Sequence, residues 1–524
     1  SAHPLASVAG AEILAAGGNA FDAAVAVAAA LGVVEPFSSG LGGGGFFLLH
    51  RSADRRDQLV DARETAPGAA AADMFLGTNG EPVPRASLDG PRAAAIPGTP
   101  AGLAWLAENY GRLPLEQSLA PAIRLAREGF PVDERFARVS GIAAQKLAAD
   151  PQARRVFLAD GAPMAAGTRL RQPQLADTLA ALARSGRSGF YQGPIAEELV
   201  RSVRASGGIW TAEDLAGYRV LEREPVRIRY GGATIVTAGL PSAGGLTLAQ
   251  AFNALAQFDL PRLSEAERTH VIVEVLRRAY RDRARYLGDP DFVDGPWAKL
   301  ADPAYAAAQA ATIRLDRATP SAGLASGPEG ENTTHFSIVD REGNRVAATL
   351  TINTLFGSGF VAGATGVLLN NEMDDFAVAP GFPNAYGLVG SRANAIAPGK
   401  RPLSSMSPTF VEDRRGVLVL GTPGGSRIIS MVLLAVLDYL GQEKPDLAAI
   451  VAAPRYHHQY LPDRIEVEPE GFSERWRAAL AAKGHVVTVA ARRWGNMQAV
   501  HVDGATGAAT AASDPRGEGG VAWY

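Results

Sequence analysis

The chain has no cysteine among its 524 residues. Disulfides, thiolate metal sites and a cysteine nucleophile are excluded together. The compartment stays open, because a cysteine-free chain suits an oxidising space and the cytosol equally well. Charge of one sign is also missing: 51 basic against 54 acidic residues leave a formal net charge of −3. No field of that size draws the chain to nucleic acid or to an anionic membrane surface. Long hydrophobic runs are absent as well. The most apolar stretch, near 23–34, is too short to span a bilayer. There is no internal repeat, and the only biased tracts are alanine-rich segments that read as helix.

What remains is ordinary globular composition, 47% hydrophobic and 20% charged. A prior of roughly 150 residues per domain suggests about three domains, although layered α/β enzymes often run as one unit. Along the chain, Gly17 and Gly18 end a first helix. Asn19 is an N-cap for a second, alanine- and valine-rich helix that Pro36 stops. Gly40 to Gly45 lead into a buried-strand pattern at 46–49. The region 97–300 reads as mainly helical with Pro/Gly breaks, most clearly at 274–286. Segment 318–332 changes character: Pro320, Ser321, Gly323, Ser326, Gly327, Pro328 and Gly330 make it a surface loop. Strands are expected at 417–421 and 464–467, with a helix over 428–440.

The most informative piece follows that loop. Residues 333–339 alternate, 340–344 carry a hairpin-turn signal, and 345–353 alternate again. Centring the turn on Glu342 sets Thr333 opposite Thr351. Side chains repeat every second residue, so Thr333, Thr351 and Asn353 come close together on one side. Taken alone, a threonine at a strand start is an ordinary strand residue. A threonine hydroxyl placed just after an exposed loop can nevertheless attack the preceding carbonyl and free its own α-amine. That amine has an unperturbed pKa of about 7.7–8.0 and can serve as general base for the same residue's hydroxyl.

The string Asn332-Thr333-Thr334-His335-Phe336-Ser337 resembles the processing site of the γ-glutamyltranspeptidases, which are N-terminal nucleophile hydrolases. The resemblance extends along most of the chain and keeps the family's order. It takes in Gly17-Gly18-Asn19-Ala20, Gly42-Gly43-Gly44-Gly45-Phe46, Asp61-Ala62-Arg63-Glu64-Thr65-Ala66-Pro67 and Tyr286-Leu287-Gly288-Asp289-Pro290. It continues through Leu369-Asn370-Asn371-Glu372-Met373-Asp374-Asp375-Phe376, Arg401-Pro402-Leu403-Ser404-Ser405-Met406 and Thr422-Pro423-Gly424-Gly425-Ser426-Arg427.

This resemblance implies an α+β fold, a four-layer αββα sandwich of two stacked antiparallel sheets flanked by helices. It implies self-cleavage between Asn332 and Thr333 into a large subunit, 1–332, and a small one, 333–524, which together form one catalytic domain. Thr333 would be the nucleophile, Thr351 its hydrogen-bond partner, and Gly424 and Gly425 the oxyanion hole. Arg63, Ser404 and Ser405 would hold the α-carboxylate of a γ-glutamyl group. Asp375, helped by Asn353 and Glu372, would hold its α-ammonium at the other end. Some relatives carry Gln where this chain has Glu372, which changes the local charge but not the ability to accept from an ammonium. Tyr386 would be the aromatic cover of a lid over 380–398. The implied substrates are glutathione and other γ-glutamyl compounds, with water or amino acids and peptides as acceptors. No cofactor or metal is implied. The chain begins at Ser1 without a Met, and the family's habit makes the periplasm or the exterior the expected location.

Several other signals have structural readings. The Gly40 to Gly45 run precedes a strand and lacks a following Lys-Ser/Thr, so it is a poor phosphate loop. The loop from Asp289 to Gly295 has neither the spacing nor the closing Glu of an EF-hand. His457 and His458 are adjacent and belong to no zinc motif. His335 invites a triad reading that an N-terminal amine makes unnecessary. Two rival functions stand beside the main one: a related acylase acting on glutaryl cephalosporins, and an unprocessed protein that only binds amino acids.

Overall fold

The computed structural model describes residues 1–321, 333–379 and 381–524. Asn332 and most of the loop expected over 318–332 lie outside the described residues, as does Pro380. Two antiparallel sheets carry the fold. One has five strands, in the order Thr334–Val339, Arg345–Thr351, Gly44–Arg51, Arg56–Ala62 and Leu221–Arg223. The other has six: Ala509–Ser513, Gln498–Asp503, Gly416–Gly421, Thr409–Asp413, Ala233–Thr237 and Val226–Tyr230. The hairpin strands Thr334–Val339 and Arg345–Thr351 lie against Gly416–Gly421 across the gap between sheets.

Alternation decides which residue faces which layer. On strand Gly44–Arg51, Phe46 and Leu48 join the core shared with the second sheet, together with Leu59, Ala347, Phe410 and Leu418. Phe47 and Leu49 face the other way, into a core formed with helix Ala20–Val34. That helix is apolar on all sides because it is covered on all sides. Helix Pro4–Ala15, helix Leu115–Glu128 and the first sheet surround it. Asn19 caps it as expected: its side chain accepts from the backbone N–H groups of Phe21 and Asp22, and Asp22 accepts in return from the Asn19 N–H. Helices Gly244–Leu255, Glu265–Tyr286 and Ile428–Gly441 cover the outer side of the second sheet. The order helix, sheet, sheet, helix is the four-layer sandwich expected.

Two local expectations need correction. The helix read at 274–286 starts earlier, at Glu265, where Ser264 and Glu267 form a capping box. The region read as mainly helical also holds strands Leu221–Arg223, Val226–Tyr230 and Ala233–Thr237. Their signal was present: Val226, Ile228 and Tyr230 alternate with Arg227 and Arg229, and Gly231-Gly232 makes the turn. No described helix is long and apolar enough to cross a membrane.

Candidate active site

Thr333 stands just before strand Thr334–Val339. The hairpin pairs Thr334 with Leu350 and Val339 with Arg345, so its register, extended by one residue, sets Thr333 opposite Thr351. The Thr333 hydroxyl donates to the Thr351 Oγ1 at 3.3 Å, and Thr351 Oγ1 also accepts from the Asn353 N–H at 2.8 Å. Thr333 is only 4% exposed and faces the gap between the sheets. Behind this pair the glycine run has its use. Gly44 pairs with Thr351, and a Cβ on Gly43 would sit 2.0 Å from the Thr351 carbonyl oxygen. The run therefore lets the strands close up behind the two threonine hydroxyls.

Beyond Thr351 the chain turns sharply. Asn353 has φ 73°, a left-handed conformation that asparagine tolerates better than most residues. Its Nδ2 donates to the Asn371 carbonyl at 2.9 Å. Its Oδ1 is buried and receives no hydrogen bond from the described residues.

The opposite wall comes from three loops. Arg63 leaves the end of strand Arg56–Ala62. Its backbone N–H donates to Asp61 at 2.9 Å, its Nε donates to the Pro402 carbonyl at 3.2 Å, and the Tyr218 hydroxyl donates to its carbonyl at 2.8 Å. Glu372 and Asp375 lie on the 3-10 turn Glu372–Asp375. Asn370 anchors that turn: its Oδ1 accepts from the Ala95 and Glu372 N–H groups at 3.0 and 2.9 Å, and its Nδ2 donates to the Gly42 and Ala95 carbonyls at 2.7 and 2.8 Å. Ser404 is tied to strand Ala233–Thr237's exit by backbone bonds to Pro241 and Ala243.

Arg63, Thr333, Thr351, Asn353, Glu372, Asp375, Tyr386, Ser404, Ser405 and Gly425 line one narrow cavity of about 20 Å³. Gly424 stands beside it rather than in the lining. The turn from Gly424 leads into helix Ile428–Gly441, so the positive end of that helix adjoins the cavity. Gly425 has φ 55°, and a Cβ there would meet the Tyr386 ring at 2.3 Å. The Tyr386 ring thus lies directly against Gly425. Its hydroxyl donates to the Asn353 carbonyl at 2.7 Å, and its own carbonyl accepts from Gln459 Nε2 at 3.1 Å.

One expectation needs correcting in its geometry. The resemblance sets Arg63 at one end of the site and the carboxylates at the other. Instead the guanidinium donates directly to Glu372, and to Asp375 at 2.5 Å, with Glu64 at 3.5 Å. Buried charges are costly unless paired, so the groups close on one another. Burial lowers the Arg63 pKa, but the carboxylates of Glu372, Asp375 and Glu64 outweigh it and raise the value overall. Burial raises Glu372 well above the usual carboxylate range, against the pull of Arg63. It pushes Glu64 up to about 7, again opposed by Arg63. Glu372 Oε2 and both Glu64 oxygens are buried with no hydrogen bond from the described residues.

A residue that sequence reasoning missed is Arg283, which shares the lining. It lies just before the string Tyr286-Leu287-Gly288-Asp289-Pro290, and nothing in a helical arginine marks it as site-facing.

The remaining signals have structural partners. His335 sits between Thr349 at 2.8 Å and Ser337 at 3.2 Å, and burial lowers its pKa to about 3. His457 contacts Ser430 at 2.7 Å and Gln459 at 2.9 Å, whereas His458 contacts Asp463 at 3.3 Å. Asp289 accepts from the N–H groups of Asp291 and Arg401 at 3.1 and 2.7 Å. Among the described residues, His50, Asp57 and Glu412 hold ligand atoms within 4.8 Å of one another. Arg227 on Asp57 and Arg345 on Glu412, each at 2.7 Å, already neutralise that group.

The layered fold has close structural counterparts. The cephalosporin acylase of Bacillus halodurans superposes with a TM-score of 0.87 at 28% identity, covering 100% of this chain and 95% of that one. The γ-glutamyltranspeptidase of Helicobacter pylori gives 0.60 at 40% identity over 61% of this chain and 92% of that one. In sequence, the glutathione hydrolase proenzyme of Escherichia coli (strain K12) is 43% identical over 515 residues, 97% of this chain and 88% of that protein. Two face-to-face antiparallel sheets between helix layers, with a hydroxyl residue at the head of a central hairpin, are the architecture of the N-terminal nucleophile hydrolases. Within that class the gamma-glutamyltranspeptidase family profile matches residues 6–524, and the chain belongs to that family.

Proposed function

We propose that the chain is a self-processing γ-glutamyltransferase and glutathione hydrolase. The observation that carries this reading is the shared cavity: a Thr333–Thr351 hydroxyl pair lines the same narrow space as Arg63, Glu372, Asp375, Ser404 and Ser405. In the precursor, Thr333 Oγ1 attacks the Asn332 carbonyl. Hydrolysis of the resulting ester gives a large subunit, 1–332, and a small one, 333–524, which stay together as one catalytic domain.

The freed α-amine of Thr333, with an ordinary pKa of about 7.7–8.0, takes the hydroxyl proton as Oγ1 attacks the γ-carbonyl of the donor. Thr351 orients the nucleophile. The N–H groups of Gly424 and Gly425, at the positive end of helix Ile428–Gly441, stabilise the oxyanion. The leaving amine departs with a proton, and water or an amino acid or peptide takes the γ-glutamyl group from Thr333. No step calls for a cofactor or metal.

The polar capacity of the site fits an amino-acid head. The hydroxyls of Ser404 and Ser405 and the Arg63 guanidinium suit a carboxylate; a bidentate arginine is the natural donor for one. Asp375, the uncommitted Oε2 of Glu372 and the uncommitted Oδ1 of Asn353 suit an ammonium. Buried acceptors left unmade cost about 1–3 kcal/mol each, so a ligand that supplies their donors is favoured. Arg63 lies against those acids, so the donor enters by parting an internal ion pair. Tyr386, lying on Gly425, covers the cavity and must shift with it. The expected location is the periplasm or the exterior.

A second reading, an acylase for glutaryl cephalosporins, is favoured by the likeness to the Bacillus halodurans enzyme. A glutaryl chain has no ammonium, and the carboxylates of Glu372 and Asp375 count against it. Incubating the purified chain and running a denaturing gel tests the main reading. Two bands are expected, the smaller beginning at Thr333, together with faster turnover of γ-glutamyl-p-nitroanilide than of glutaryl-7-aminocephalosporanic acid. One persistent full-length band with no turnover would leave only an amino-acid-binding protein.

A further inference from the structure

Arg283 is the second guanidinium of the cavity, and it differs from Arg63 in what it touches. It lies in the last turn of helix Glu265–Tyr286, where the helix C-terminus offers partial negative charge. It is 5% exposed. Its Nη2 donates to Ser405 Oγ at 3.0 Å. Its Nε is buried with no hydrogen-bond partner among the described residues. None of their carboxylates comes within ion-pair distance of it, whereas three do so for Arg63. A buried cation without a counter-ion is unfavourable unless something else compensates it.

The serines show where that compensation enters. An N–H donating to a hydroxyl oxygen leaves the hydroxyl proton to point elsewhere. Ser405 Oγ accepts from Arg283, and Ser404 Oγ accepts from the Met406 N–H at 3.1 Å. Neither hydroxyl has an acceptor among the described residues, and both line the cavity. Both are therefore presented as donors, next to a positive charge that has no described carboxylate at ion-pair distance.

Building on the donor-site reading above, we propose that Arg283 is a positioning residue for the donor's α-carboxylate: it turns the Ser405 hydroxyl into the cavity as a donor and supplies the positive charge that a carboxylate there needs. Arg283 thereby makes the site selective for donors that carry a carboxylate on the α-carbon. A purely structural arginine closing the end of a helix would affect all donors alike.

Four proteins separate the two: the wild type, Arg283→Gln, Ser405→Ala and the double variant. Each is assayed with L-γ-glutamyl-p-nitroanilide and with 4-aminobutyryl-p-nitroanilide, which keeps the ammonium and acyl chain but has hydrogen in place of the carboxylate. High enzyme concentration is used for the slower amide. For Arg283→Gln, kcat/KM on the glutamyl amide is expected to fall about 10–100-fold, the range of a charge-assisted hydrogen bond, chiefly through KM. On the aminobutyryl amide it should change less than about 3-fold. The double variant is expected within about 3-fold of Arg283→Gln, because one residue acts through the other. Equal losses on both amides, or multiplicative losses in the double variant, overturn the proposal. If Arg283→Gln does not fold, Arg283→Met, which also removes the charge, is judged by the same substrate ratio. Wild-type self-cleavage and turnover are measured first. Their absence defeats the donor-site reading itself, whereas an active wild type with equal losses in the variant defeats only the role of Arg283.

Discussion

The two walls of the cavity are built on different terms. The strand wall, Thr333 and Thr351 backed by Gly43 and Gly44, is held by ladder register and close backbone approach. Its hydroxyls are already arranged with respect to each other. The loop wall, with Arg63, Glu372, Asp375, Ser404 and Ser405, presses a buried arginine against two carboxylates, with Glu64 behind it. Several of its oxygens carry no hydrogen bond from the described residues. On the function we propose, the reacting group has to stay put, which a sheet secures. The binding groups have to exchange an internal partner for a ligand, which fits their partly unspent polar capacity.

Breaking the strand wall should cost most. Thr333→Ala is expected to remain a single band on a denaturing gel and to show no turnover. A variant that still cleaved itself would move the nucleophile elsewhere. Next comes Gly425→Ala. Its Cβ would meet the Tyr386 ring at 2.3 Å in a backbone with φ 55°, displacing the oxyanion donor we propose. A loss on the order of 10²–10³-fold in kcat is expected, and an unchanged kcat would remove Gly425 from the oxyanion hole.

The loop wall should respond in binding rather than in rate. Asp375→Asn removes the charge that pairs with Arg63 and, on our proposal, with the donor's ammonium. KM for γ-glutamyl-p-nitroanilide should rise about 10–100-fold, the range of a charged hydrogen bond. The glutaryl amide should be spared, and a parallel rise for it would argue against an ammonium site. Tyr386→Phe deletes the hydrogen bond to the Asn353 carbonyl. About 1 kcal/mol is at stake, or roughly 5-fold in kcat/KM, read by steady-state kinetics.

The smallest effect is on stability. The Glu64 pKa is pushed up to about 7 from an ordinary 4.5, first by burial. Folding therefore favours its protonated form. That contribution is complete below about pH 4.5 and is lost as pH rises through about 7. Glu64→Gln should raise Tm relative to wild type by about 2 °C at pH 8 and not at pH 4.5, as scanning calorimetry would show. A constant difference at both pH values would mean that Glu64 does not titrate in this range.

Much of the strand wall was legible in the sequence. The alternation on both sides of the turn at Glu342 places Thr333 opposite Thr351 by counting alone, because the period of a strand is two. The Asn19 cap, helix Ile428–Gly441 and strand Gly416–Gly421 were equally readable, since each is set by neighbours a few residues away. Strands Val226–Tyr230 and Ala233–Thr237 were overlooked in a helical region. They are short, and two of the five residues of the outer one are arginine.

The loop wall was legible only as a set of residues. Their identities followed from motifs in the family's order; their contacts did not. Nothing local shows that Arg63 closes on Glu372 and Asp375, residues some three hundred positions away, or that Arg283 from a helix end reaches Ser405. The sequence by itself determined most of the secondary elements, the hairpin register and the family, because those rest on periodicity, caps, turn chemistry and motifs within short windows. Only the tertiary structure decided which buried charges pair, which polar atoms are left uncommitted and that Tyr386 lies on Gly425. Those outcomes depend on burial, and burial is a property of how distant segments pack.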